Sequence, residues 1–225
     1  MINTFIKKTV VLSSALAVLA MTSGFAAISN VDSVSSLSSA AKLNKGFYLG
    51  AQAGYADMNY KKSWLTDDPK ITSVGEVDDS GFAGRLFGGY NFNPYLAAEM
   101  GYVILPKVEF KDIALRDAST TVDESFDQSI LDFVVKGTLP LKDGYDLYAK
   151  AGFANVLRDD LEASANGVTV NSNTSNSKNV PVLGAGANYH MTSNIITEVS
   201  FMYYFGNGDL EPTDFAGAGL IYQFG

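Results

Sequence analysis

The chain has 225 residues, with 18% charged, 12% aromatic, 21 Gly and no Cys. The missing Cys excludes disulfides, thiolate metal sites, Cys nucleophiles and a lipid-modified N-terminal Cys. The formal net charge of −8 argues against a nucleic-acid partner, whose phosphates demand clustered Lys and Arg.

Residues 1–26 read as a secretory signal peptide. Lys7 and Lys8 form the positive end, Val10 to Ala20 the apolar stretch, and Gly24-Phe25-Ala26 places small residues at −3 and −1, so cleavage is expected after Ala26. The alternative, an uncleaved anchor, is disfavoured because the apolar stretch is short for a bilayer. Cleavage leaves 14 basic against 24 acidic residues, a net charge of −10. Residues 27–45 are Ser-rich without a sustained period and are expected to be a flexible lead-in. The structured domain is expected over residues 46–225.

No run of about 18 apolar residues follows, so no transmembrane helix is expected. Instead, segments alternate with the period of a strand. Phe47, Leu49, Ala51, Ala53 and Tyr55 oppose Tyr48, Gly50, Gln52 and Gly54. Phe82 to Phe92 follows, with Arg85 on its second face, and after Asn93-Pro94 comes Leu96 to Ile104, with Glu99 on its second face. Leu131 to Leu139 carries Asp132 and Lys136 opposite Leu131, Phe133 and Val135. A turn at Pro140 to Gly144 leads to Tyr145 to Phe153, which holds Lys150. Val182 to Tyr189 and, after a turn at His190 to Asn194, Ile195 to Phe205 continue the pattern. The last strand sets Ala216, Ala218, Leu220, Tyr222 and Phe224 against Gly217, Gly219, Ile221 and Gln223.

Short connections join segments 2–3, 4–5 and 6–7. Longer polar ones occupy Asn59–Ser80, Pro106–Gln128, Arg158–Asn179 and Gly206–Asp214, the third close to low complexity and expected to be mobile. Short periplasmic turns and long extracellular loops are the asymmetry of an outer-membrane barrel. The charges support the same inside-out arrangement. Arg85, Glu99, Asp132, Lys136, Lys150 and Glu198 all fall on one face, with Gln52, Asn188 and Gln223, while the other face is apolar. Three cations and three carboxylates in a narrow lumen are expected to pair, with inward glycines making room for them. Aromatics gather near both ends: Phe47, Tyr90, Phe92, Tyr145, Tyr189, Tyr222 and Phe224 at the periplasmic rim, and Tyr55, Phe82, Phe153, Phe205 and Phe215 at the outer rim. Two girdles fit a membrane band, although aromatics also favour strands in general.

G-F-Y-L-G-A-Q-A-G-Y (46–55), G-R-L-F-G-G-Y-N-F-N-P-Y-L-A-A-E-M-G-Y (84–102) and G-A-G-L-I-Y-Q-F-G (217–225) resemble the opening strand, second hairpin and closing strand of the eight-stranded outer-membrane barrels of the OmpA transmembrane domain, OmpX and opacity-type family. The resemblance implies an all-β, eight-stranded, antiparallel, up-and-down transmembrane β-barrel. It also implies that Arg85, Glu99, Lys136 and Glu198 belong to a lumenal ion-pair network. OmpA continues into a periplasmic peptidoglycan-binding domain and this chain stops at Gly225, so cell-wall tethering is not carried over.

Catalysis is not expected. The single His, His190, falls in a periplasmic turn and is expected to be solvent-exposed, and no Ser-His-acid set is available at the outer rim. No cofactor and no metal site is expected. The acidic pairs Asp67-Asp68, Asp78-Asp79, Asp123-Glu124 and Asp159-Asp160 read as solvated loop charge, with loose divalent binding as the alternative. The expected setting is the outer membrane of a Gram-negative bacterium, as a monomer among lipid and lipopolysaccharide. Two roles stay open. One is a structural and surface-interaction protein whose loops meet host or environmental ligands over a plugged lumen; the other is a narrow pore for ions or small solutes.

Overall fold

The computed structural model describes residues 45–60, 71–73, 75–115, 121–158, 161–165, 168–172, 176–208 and 210–224. The signal peptide and the lead-in up to residue 44 lie outside the described residues. In chain order the strands are β1 (Gly46–Asp57), β2 (Ile71–Ser73), β3 (Glu76–Asp78), β4 (Ser80–Asn93), β5 (Leu96–Ile104), β6 (Val108–Leu115), β7 (Thr121–Phe126), β8 (Gln128–Pro140), β9 (Tyr145–Arg158), β10 (Leu161–Ala165), β11 (Val168–Ser172), β12 (Asn176–His190), β13 (Ile195–Tyr204) and β14 (Thr213–Gln223).

Eight of these close into an antiparallel barrel in the order β1-β14-β13-β12-β9-β8-β5-β4. Closure is made by the first strand against the last, in register from Tyr48↔Gln223 to Asp57↔Asp214. On its other side β1 pairs with β4 from Gly46↔Asn91 to Asp57↔Ser80. No strand edge is left for lipid to satisfy, which is why spanning sheets close. The strand-joining turns at the periplasmic end are short. The β8–β9 turn places Asp143 (φ 61) and Gly144 (φ 81) in the left-handed region that a tight reversal requires.

Alternation decides what each face meets. Along β5, Leu96, Ala98, Met100, Tyr102 and Ile104 face out, while Ala97, Glu99, Gly101 and Val103 are buried. Phe47 is 67% exposed and Phe82 76%, values that a water-facing sheet would rarely leave. At the periplasmic rim the girdle aromatics touch one another edge-on: Phe47 and Tyr90 ring centroids are 4.8 Å apart, and those of Tyr222 and Phe224 5.0 Å apart. One member expected at the outer rim is elsewhere. Phe215 is fully buried, because it shares its face with Gly217, Gly219 and Ile221 rather than with Leu220 and Tyr222.

The long connections are not plain polar loops. Their strands build a second, six-stranded sheet in the order β11-β10-β7-β6-β2, with β3 also pairing with β6. Strands from three consecutive loops therefore interlock above the barrel. The third loop, expected to be mobile, supplies the β10–β11 hairpin, in register from Leu161↔Ser172 to Ala165↔Val168.

The missed signal is in β6. Val108 and Phe110 are buried while Glu109 and Lys111 lie toward solvent. The register then shifts between Phe110 and Ile113, where Asp112 takes φ 56 and returns Ile113 to the buried face. This sheet and the upper lumen share one apolar core. Met58, Tyr60, Val108, Phe110 and Phe126 pack with Val103, Ile130, Val156, Val182 and Phe215. Tyr60 meets Phe126 edge-on at 5.7 Å.

Phe215→Ala is expected to leave a cavity in that shared core and to cost about 3–5 kcal/mol of barrel stability. Urea unfolding in lipid vesicles measures it; an unchanged midpoint would place the ring outside the core.

Candidate functional site

The middle of the lumen holds six charges, and the order of the strands around the barrel explains how they meet. β4, β5 and β8 are consecutive neighbours, as are β8, β9, β12 and β13, so residues in phase on their inner faces converge on the axis. Arg85, Glu99, Asp132, Lys136, Lys150 and Glu198 are all buried there.

They form one chain of alternating sign. Arg85 donates to both oxygens of Asp132, Nη2 to Oδ1 at 2.7 Å and Nε to Oδ2 at 3.1 Å, a fork that fits the carboxylate plane. The same Nη2 reaches Glu99 Oε1 at 2.8 Å. Lys150 Nζ shares that oxygen at 2.9 Å and turns to Glu198 Oε1 at 3.4 Å. Lys136 Nζ closes the series on Glu198 Oε2 at 3.0 Å. The sequence Asp132–Arg85–Glu99–Lys150–Glu198–Lys136 thus crosses the lumen without two like charges in succession.

Neutral donors bond to oxygens of the same carboxylates. Tyr48 Oη donates to Glu99 Oε2 at 3.0 Å, and Tyr204 Oη to Asp132 Oδ2 at 3.0 Å. Gln52 Nε2 donates to Glu198 Oε1 and, at 3.0 Å, meets Ser200 Oγ. Aromatic faces take up the cations from the side: Lys136 Nζ lies 4.1 Å from the Tyr148 ring centroid, and Arg85 Cζ 4.7 Å from that of Phe87. Such contacts offset part of the cost of taking charge out of water.

Glycine makes the crossing possible. A Cβ at Gly101 would overlap the Arg85 guanidinium, and one at Gly89 would overlap the Tyr48 hydroxyl. The inner wall is bare where the long side chains lie against it.

Tyr48 and Tyr204 were readable as partners only by phase. Tyr204 continues the inward series Glu198, Ser200, Met202, and Tyr48 the series with Gln52. A second polar group lies toward the periplasmic end. His190 is the last residue of β12, not a free turn residue, and its Nε2 lies 2.6 Å from Asp146 Oδ2 with both side chains largely buried. Asp146 is in phase with Tyr148 and Lys150, which is the signal that would have placed it inside. Neither group is near the outer rim.

Among the described residues no group of three or more His, Cys, Asp or Glu is placed to hold a metal ion. Asp67-Asp68 and Asp159-Asp160 lie outside the described residues. Asp79 is buried and its Oδ2 accepts the Tyr60 amide N–H at 2.6 Å, so this member of its acidic pair caps backbone rather than facing solvent. In the outer sheet Glu124 is half-buried, and burial pushes its carboxyl above the usual range.

Residues 42–225 match the OmpA-like transmembrane domain family. Outer membrane protein A of Klebsiella aerogenes is 25% identical over 218 residues, covering 94% of this chain and 55% of that protein. An uncharacterized protein of Coxiella burnetii (strain RSA 493 / Nine Mile phase I) is 27% identical over 215 residues, covering 80% of this chain and 85% of its own. The chain therefore spans about half the length of the outer membrane protein A relative. Among solved structures, the outer membrane protein OprG from Pseudomonas aeruginosa has the same fold, with a TM-score of 0.50, 12% identity, and coverage of 80% of this chain and 97% of that one.

Glu198→Lys would set a third ammonium beside Lys136 and Lys150, take from Lys136 the carboxylate it pairs with, and leave Lys150 with Glu99 alone. The expected loss is about 3–5 kcal/mol, the cost of breaking a buried pair. It is read as a fall in the unfolding midpoint in detergent, and an unmoved midpoint would mean that Glu198 contributes nothing to the fold.

Proposed function

The chain belongs to the OmpA-like transmembrane domain family and is an integral β-barrel of the bacterial outer membrane, and we propose that it serves there as a non-enzymatic, closed barrel whose role is structural and carried at its outer surface. The observation that carries this function is the lumen itself. Six alternating charges join across the axis, and an apolar layer of Val103, Ile130, Val156, Val182, Met202 and Phe215 is buried above them. An ion entering from outside would have to cross that apolar layer and then part ion pairs that are shielded from water. An eight-stranded barrel has an interior just wide enough for its side chains to fill.

The outer surface supports the second half of the proposal. Strands from three loops pair into one sheet, so the barrel presents a built surface rather than separate flexible strings. Host or environmental ligands would be met there, while the apolar band sits among outer-membrane lipid and lipopolysaccharide as a monomer. His190, the only His, is engaged with Asp146 toward the periplasmic side, away from the surface where substrates outside the cell would arrive.

The narrow-pore alternative requires the ion pairs to part while the barrel remains folded. Single-channel recording of the refolded mature chain in a planar bilayer separates the two. The expected result is silence from protein shown to be inserted and folded on the same sample. Steady openings would overturn the closed lumen and make solute passage the function.

A further inference from the structure

The outward face carries a depression that the lumen does not explain. It is a shallow groove of about 730 Å³ across β14, β1, β4 and β5, reached at its ends by Ile195 of β13 and Leu131 of β8, with almost wholly apolar walls. That volume lies within the roughly 300–1,000 Å³ of small-molecule sites. The register shows how it arises. One cross-strand row runs Ile195, Tyr222, Leu49, Gly88, Met100. The next row toward the outside runs Leu220, Ala51, Leu86, Tyr102, Leu131. Gly88 in the first row and Ala51 in the second are small where their neighbours are large, so the wall is thin there and flanked by Leu49, Leu86 and Met100.

The position of the groove bears on its occupant. It lies one inward–outward repeat above the Phe47–Tyr90 contact of the periplasmic girdle, within the belt that lipid covers. The cross-strand rows run oblique to the membrane normal, because spanning strands tilt by about 45°. A chain entering from the periplasmic rim would follow them toward the midplane. Lipopolysaccharide approaches from the opposite rim. We propose that this groove retains one acyl chain of a phospholipid from the periplasmic leaflet, seated over Gly88 and Ala51, as a specific site within the general lipid contact. The inference rests on the membrane placement of the barrel and not on whether its lumen conducts.

The glycines supply both the test and its control. A Cβ at Gly88 would approach Leu49 Cδ2 at 2.9 Å, the movable end of a side chain, whereas a Cβ at Gly137 on β8 would meet nothing within 4 Å. Gly88→Leu therefore fills the groove, and Gly137→Leu adds the same bulk to the lipid face elsewhere. The full mature chain is refolded into vesicles of phosphatidylethanolamine and phosphatidylglycerol with added lipopolysaccharide, transferred to mild detergent, and weighed by native mass spectrometry, with far-UV circular dichroism confirming the fold of each variant.

The expected result is one phospholipid retained by the wild type and by Gly137→Leu, and at least a tenfold lower bound fraction for folded Gly88→Leu. A bare wild-type mass, or equal retention in folded Gly88→Leu, would overturn the proposal. So would retention of lipopolysaccharide in place of phospholipid, or a dimer that Gly88→Leu abolishes. If Gly88→Leu fails to fold, Ala51→Leu takes its place with the same expected loss.

Discussion

A peptide group inside a bilayer finds no water to bond, and this constraint governs the whole molecule. It forces β14 back onto β1, ten residue pairs in register, so that the sheet has no open edge in the membrane. Closure then dictates two opposite chemistries on one wall. The outer face must be acceptable to hydrocarbon, so it carries Leu, Phe, Tyr, Val and small residues. The inner face is hidden from lipid and is the one place where charge can be held.

Holding charge there is costly unless each group finds its complement, and the lumen solves this by alternation. Each carboxylate is touched by at least one cation and by a neutral donor, Tyr48, Tyr204 or Gln52. Sharing also limits ordering cost, since Arg85, once fixed by Asp132, is already placed for Glu99. The glycines opposite are the counterpart of the long chains: Gly101 is small because Arg85 lies across it. The apolar storey above the charges keeps them in a low dielectric, which strengthens the pairs for the same reason that it would punish a missing one.

Much of this was legible in the sequence because a spanning strand has a period of two and a membrane has two unlike sides. The eight segments, their even rhythm and the face bearing Arg85, Glu99, Asp132, Lys136, Lys150 and Glu198 all follow from alternation. Distances across the barrel do not. Which cation faces which carboxylate depends on the stagger of β4, β5, β8, β9 and β13, a property of the closed sheet that no single segment encodes. Proximity to the rim suggests an outward Phe215, whereas its phase with Gly217 sets it inside. The outer sheet was hidden differently. Its strands are short, rich in polar residues on one face, and in β6 broken by a bulge at Asp112, so the alternation that marks a strand changes phase midway.

The interlocking of the outer loops has an evolutionary consequence. β7 pairs with β6 of its own loop and with β10 of the next, and β6 pairs in turn with β2 and β3. A loop that varies alone must keep the backbone rows its neighbours depend on, so the tips between strands are where an insertion or deletion costs least, while the strands can change by side chain. The pairing would therefore channel diversification of the outer surface. Recombination that exchanged residues 58–180 as a block would keep the outer-sheet partners together, whereas exchange of a single loop would bring in strands with no partner of matching register.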